Sequence, residues 1–200
     1  VNDIVDSILE SKETLISVMD LKAFDDYTFY HCVNVCILSI VIGKALGFNK
    51  NRLNILGISA LLHDIGKTFV PKDILNKNGK LTAEEFDIIK THSSWGYRYV
   101  KENFQIPSSA YIGILHHHEK YDGTGYPMGV KSDKISLFGR IISVVDVYDA
   151  FVSDRPYRKA LPPFEAVEYI LGNCGTSFDP EIVKAFSRRV APYPVGTCVI

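Results

Sequence analysis

What this chain of 200 residues lacks first is an excess of charge of either sign: 22 Lys and Arg stand against 23 Asp and Glu, a formal net charge of -1. That balance argues against nonspecific coating of a nucleic-acid polymer, which needs a broad basic face. A few local cations would still suffice for a small anionic ligand. Cysteine is scarce as well. Cys32, Cys36, Cys174 and Cys198 form no Cys-x-x-Cys pair, so a zinc knuckle is not indicated and buried thiols in a reducing cytoplasm are expected. No apolar run reads as long enough to span a membrane, and no signal-peptide pattern opens the chain; direct membrane insertion is not expected. The chain starts at Val1 rather than Met and stops in "YPVGTCVI", which reads like the beginning of a strand. It reads as a segment of a longer protein. Repeats and low-complexity linkers are also missing.

What is present is helical periodicity over most of the length. Ile4, Ile8, Leu15 and Met19 mark an amphipathic first helix. "HCVNVCILSIVIGKALG" is mostly apolar, puts Cys32 and Cys36 on one face and ends at Gly47, while "RLNILGISALLHDIGK" reads as a second buried helix. "LTAEEFDIIKTHSSWGYRYVKENF" reads as one helix opened by a Thr82–Glu85 capping box. "SSAYIGILHHHEK" follows, then "SLFGRIISVVDVYDAFVSD", apolar nearly all round and therefore central. "PPFEAVEYILGN" and "DPEIVKAFSRRV" carry prolines in their first turns. Only "YPMGVKSDKIS" and the tail suggest strands. The expected fold class is all-α, one domain of about seven or eight helices with at most a short β-hairpin.

Three of the six histidines fall together in "HHHEKYDGTGYP", residues 116–127, beside a turn with two glycines. Other imidazoles and carboxylates sit in apolar surroundings: His31, His63 and Asp64 after "ISALL", His92, and Asp146 after "IISVV". Taken singly, each is more often a satisfied core polar group than a ligand. Together, on five predicted helices, they satisfy one another only by converging, because an unpartnered buried polar group costs several kcal/mol (roughly 2–7). A metal satisfies many at once, and imidazole with carboxylate suits iron, manganese, zinc or nickel. The adjacent pairs His63–Asp64 and His117–His118 are about 100° apart around a helix. Such neighbours straddle two metals more readily than they meet on one, and a carboxylate such as Asp64 can bridge.

"TFYHCVNV", "HDIGK", "HHEKYDGTGYP" and "VVDVYDAFVSDRPYR", in this order from Tyr27 onward, resemble the HD-GYP family, a branch of the HD superfamily of metal-dependent phosphohydrolases. The resemblance implies an HD-type helical domain over 25–200, preceded by a coupling helix at 1–24. It further implies a bacterial second-messenger enzyme, a cyclic di-GMP phosphodiesterase, that yields pGpG and also GMP through a water activated by a metal pair. Carried over by residue, it makes His31, His63, Asp64, His92, His117, His118 and Asp146 metal ligands, with iron or manganese ahead of zinc or nickel. Asp64 and Lys67 are the catalytic residues, and Lys67, Tyr126, Arg155 and Arg158 contact substrate. Glu119 would hold an imidazole in its tautomer, and His116, outside the motif, reads as a surface or supporting residue. Some members carry a glutamate where this chain has Tyr27, and it helps to hold a third metal. A phenol is a poor substitute, so two metals are expected. Residues 1–24 would relay a signal from an N-terminal sensor or mediate dimerisation. Trp95 reads as structural rather than as a stacking platform, and "KNGK" (77–80) as a solvated turn. A binding module without catalysis, a hydrolase of another cyclic dinucleotide and a purely structural helical domain are the rival readings.

Overall fold

Residues 26–153 and 159–192 are described by the computed structural model. The coupling helix expected over 1–24, the C-terminal strand, Arg155, Arg158, Cys198 and the side chain of Tyr27 lie outside the described residues. Eight described helices have two turns or more: α1 (Asp26–Ala45), α2 (Lys50–Leu61), α4 (Ala83–Lys90), α5 (His92–Asn103), α6 (Ser108–His116), α7 (Leu137–Val152), α8 (Pro163–Gly172) and α9 (Pro180–Ser187). A single-turn helix, α3 (Lys72–Leu75), and 3-10 turns at Ile65–Phe69 and Ser132–Lys134 complete them.

The helix starts follow local chemistry. The Asn49 side chain accepts from the Arg52 N–H at the start of α2, and Thr82 and Glu85 close the expected capping box on α4. Asp179 caps α9 with Pro180 in its first turn, and its carboxylate also meets Arg140 of α7 at 2.5 Å. Helix α7 is central, packed against α1, α6, α8 and α9, with Phe138, Ile141, Ile142, Val144 and Val145 buried.

Four sequence expectations need correction. The stretch at 126–136 forms no strand: the backbone runs through a turn and a 3-10 turn, and the one bridge among the described residues joins Cys174 and Phe178. Gly129 and Ser132 adopt positive φ, which breaks an extended ladder. Cys174 is exposed, whereas Cys32 and Cys36 are buried as expected. Thr28–Ala45 is, by length and a mean hydropathy of 1.4, apolar enough to cross a membrane, although half of it is buried inside the protein. Finally, the helix read from residue 81 to 104 divides at Thr91 into α4 and α5.

Gly66, in the turn after the His63–Asp64 pair, explains how α5 comes so close. A Cβ at Gly66 would lie 1.8 Å from the His92 carbonyl oxygen and 2.6 Å from the Gly96 nitrogen. Only a residue without a side chain lets these two backbones touch. Gly66→Ala is expected to destabilise the fold by about 1–3 kcal/mol, the usual range for overpacking, and to weaken metal binding by shifting His92. Gly172→Ala, where an added Cβ meets nothing within 4 Å, is the control that should leave stability unchanged. Thermal denaturation of the two variants checks the contrast.

Candidate metal centre

The chain delivers its histidines mainly at helix ends. His63 and Asp64 lie in the turn that follows α2, His92 opens α5, and His117 and His118 follow α6. His31 alone sits within a helix, α1, with Asp146 facing it from α7. His31, His63, Asp64, His92, His117 and Asp146 are buried, and His118 keeps a quarter of its side chain exposed.

One nitrogen of each of four histidines is committed to the protein. His63 Nδ1 donates to the Ala60 carbonyl at 2.7 Å, His92 Nδ1 to Ile89 at 2.7 Å and His117 Nδ1 to Ile114 at 2.5 Å. His31 Nδ1 donates to Asp149 Oδ2 at 2.7 Å. A carbonyl or carboxylate can only accept, so each Nδ1 carries the proton and each Nε2 presents a lone pair when the ring is neutral.

Those lone pairs converge. His92 Nε2 and His117 Nε2 face each other at 3.2 Å. His63 Nε2 lies 3.4 Å from Asp64 Oδ2, and His31 Nε2 lies 3.0 Å from Asp146 Oδ1. Asp64 reaches the other side as well, with Oδ1 3.4 Å from His92 Nε2. Two groups of potential ligands result: His31, His63 and Asp64, and His92, His117 and His118. Two donors that share a cation at about 2.1 Å each lie roughly 3–3.5 Å apart at common coordination angles, which is the spacing found here. The buried His63 Nε2 has no hydrogen-bond partner, a loss of about 1–3 kcal/mol if left so. Paired acceptors and an orphaned imidazole fit divalent cations.

Electrostatics point the same way. Burial drives His92, His117 and His118 towards the neutral form, His118 to about 3. At His63 burial is outweighed by Asp64, and at His31 by Asp146 and Asp149, so both are raised. Burial would raise Asp64 and Asp146, yet Lys67 and His63 hold the first, and His31 the second, below the ordinary carboxylate range. The carboxylates therefore draw positive charge inward. Lys67 supplies part of it: burial opposes its proton, but Asp64, 2.5 Å away, keeps it raised and charged.

Tyr126 stacks on His118, with ring centroids 4.7 Å apart. Its loop is folded back on the helix end: a Cβ at Gly125 would lie 2.3 Å from Lys120 N and 2.5 Å from the His118 carbonyl oxygen. Two cavities open beside the cluster, one of about 860 Å³ that includes Lys67 and one of about 320 Å³ that includes His118 and Tyr126.

Two supporting roles differ from expectation. Glu119 holds no imidazole; its Oε1 accepts from the Met128 N–H at 2.7 Å and so fastens the loop. His116 is neither on the surface nor against a ligand: it is buried, and Nδ1 accepts from the Ser136 N–H at 3.0 Å beside the start of α7. Asp149 was missed. It stands three residues after Asp146 in "DVYD", one helical turn on and so on the same face, which is the one sequence signal that would have raised it.

A helical domain that closes a His/Asp cluster with a lysine at its rim defines a recognisable class. The chain belongs to the HD domain family, whose pattern it matches over residues 4–182. It is 42% identical over its whole length to a cyclic di-GMP phosphodiesterase of Pseudomonas aeruginosa, covering 48% of that protein. To a 3'3'-cGAMP-specific phosphodiesterase of Vibrio cholerae it is 36% identical over 88% of the chain and 38% of the relative. The chain thus spans half or less of these relatives. The crystal structure of a cyclic GMP-AMP specific phosphodiesterase from V. cholerae shares the fold, with a TM-score of 0.65 at 22% identity over 88% of this chain and 47% of that one.

Asp149→Ala should leave the fold intact and lower metal affinity about 10–100-fold, the usual effect of losing a group that orients a ligand histidine. Asp149→Asn retains an acceptor for the His31 Nδ1–H and should recover part of the loss. Competition with a chelating dye measures both.

Proposed function

We propose that this domain hydrolyses a cyclic dinucleotide, cyclic di-GMP first, opening one phosphodiester to give pGpG, with GMP as the product of a second cleavage. The observation that supports this most is Asp64, which turns one oxygen to each ligand group while holding Lys67 at the mouth of a cavity. Two divalent cations, iron or manganese before zinc or nickel, would be held by His31, His63, Asp64 and Asp146 on one side and His92, His117, His118 and Asp64 on the other. When bound, such a pair acidifies water and neutralises charge at phosphorus.

The chain's own groups would bind the substrate and stabilise its charge. Lys67 keeps its proton and donates to a non-bridging phosphate oxygen, where charge builds in the transition state. Burial, with Asp146 and Asp64 nearby, raises the Tyr126 phenol far above its ordinary value, so it stays neutral and acts as a hydrogen-bond donor beside His118. Asp64 remains ionised, which preserves both the charge on Lys67 and its own role as a ligand to either group. Arg155 and Arg158, in "DRPYR", are assigned to phosphate or guanine. The similarity to a cGAMP-specific enzyme makes 3'3'-cGAMP the second substrate to test.

Product chromatography under reducing conditions, with the manganese- or iron-loaded chain and either dinucleotide, tests the reading. Conversion of cyclic di-GMP to pGpG with two metal equivalents per chain is expected. Asp64→Ala should lose bound metal and reduce turnover about 10²-fold or more, as when a transition-state charge stabiliser is removed. Tight binding with no product would convert the reading to a sensor module, and full activity in Asp64→Ala would sink the assignment of the centre.

Arg155→Ala gives a separate check on substrate contact. It should lose about 1.5–3 kcal/mol of dinucleotide binding, the range for hydrogen bonds to charged groups, while metal content stays the same. Calorimetric titration reads the first quantity and elemental analysis the second.

A further inference from the structure

Phe86 has no part in the metal centre, yet it lines both cavities that flank it. Phe86 itself is 48% exposed. The larger cavity continues from Phe86 to Lys67, Lys77 and Lys80; the smaller continues to Lys90, His118 and Tyr126. Each therefore reaches the centre from a different side, through Lys67 or through His118. Volumes of about 860 and 320 Å³ fall within the range of small-molecule sites, about 300–1,000 Å³.

The platform carrying Phe86 is rigid. The capping box fixes the first turn of α4, and Lys77 Nζ binds both oxygens of Glu85, at 2.7 and 2.6 Å. The "KNGK" stretch is thus the lip of a cavity rather than only a solvated turn. Lys90, paired with Asp87 at 2.5 Å, sits 5.2 Å from the Phe86 ring centroid. Trp95, the more obvious stacking residue in the sequence, instead packs against Phe69 with centroids 5.8 Å apart, and it is not among the described residues lining either cavity.

A cyclic dinucleotide has a compact ring of two sugars and two phosphates from which two bases diverge. With one phosphate at Lys67, the bases have one cavity each and a half-exposed aromatic ring between them. We propose that Phe86 is the base-stacking platform of the site, placed by α4 at the partition between the two cavities. This rests on the cyclic-dinucleotide reading above, because it takes that ligand as the occupant. Stacking needs a π-face, whereas filling a gap needs only bulk, and the two roles separate experimentally.

The metal-loaded full chain and its Phe86→Leu and Phe86→Trp variants would be titrated with cyclic di-GMP and assayed for product. Phe86→Leu should raise Kd and KM about 5- to 150-fold, the equivalent of one lost base–aromatic stack, with kcat within about threefold and metal content unchanged. Phe86→Trp should restore affinity, and its added emission over Trp95 should be quenched as ligand binds. Wild-type affinity in Phe86→Leu, or no added quenching in Phe86→Trp, overturns the platform while leaving a hydrolysing wild type, and so the functional reading, intact. Binding without cleavage, with the variant pattern as described, upholds the platform and overturns the hydrolase. A wild type that neither binds nor cleaves overturns both.

Discussion

Two imidazole lone pairs facing each other at 3.2 Å, His92 against His117, are the constraint around which this domain is organised. Their Nδ1 protons are already committed to carbonyls, so neutral rings cannot relieve the contact by hydrogen bonding to one another. A few ångströms away His63 Nε2 is buried without a hydrogen-bond partner, and Asp64 and Asp146 press negative charge into the same space. Closing helices over such a set is unfavourable unless positive charge enters with them. Lys67 brings one charge, and divalent cations would supply the rest. Metal affinity and stability are then linked, since a cation that binds only the folded cluster stabilises the fold.

The same proton commitments explain why the candidate ligands sit where they do. The last carbonyls of a helix have no intrahelical partner. His63, His92 and His117 each follow their acceptor carbonyl by three residues, at Ala60, Ile89 and Ile114. All three acceptors lie at the C-terminal ends of α2, α4 and α6. One local device, repeated three times, engages a carbonyl of the last helical turn, fixes a tautomer and aims Nε2 inward. His31 lies within α1, where carbonyls are already bonded along the helix, so its Nδ1 turns to Asp149 on the neighbouring α7. The exception follows from the rule.

Much of this was legible in the sequence because it is local or because it is chemically improbable by chance. The capping box at Thr82, the prolines opening α8 and α9 and the apolar girth of α7 are all local signals, and the structure contains each. The gathering of seven buried or half-buried imidazoles and carboxylates could be inferred because no other arrangement satisfies them. What escaped was set by tertiary contact. Asp149 looks like any acid on an amphipathic face until His31 is seen beside it. Glu119 next to two histidines suggests an imidazole partner, but the loop folds back and offers the Met128 N–H first. The break at Thr91 interrupts a run with continuous helical periodicity; His92 is pulled from it by the Ile89 carbonyl and by the approach of Gly66.

The glycines make sense in the same terms. Gly66 lets the turn after His63 and Asp64 lie on the backbone of His92, and Gly125 lets the loop after His118 lie on the backbone of Glu119 and Lys120. Each contact couples one ligand-bearing segment to the next without a side chain intervening. The first sets the distance between the two ligand groups; the second places Tyr126 on His118. Metal coordination demands donor positions accurate to a few tenths of an ångström, and backbone-to-backbone contact is a stiff way to hold them. The proposed dinucleotide, by contrast, would meet side chains on α4 and its approach, which are fixed by capping and ion pairing rather than by close packing. On the proposed reading, chemistry and recognition would rest on different structural supports, so a change at Phe86 would alter which dinucleotide is held while the His/Asp cluster kept its geometry.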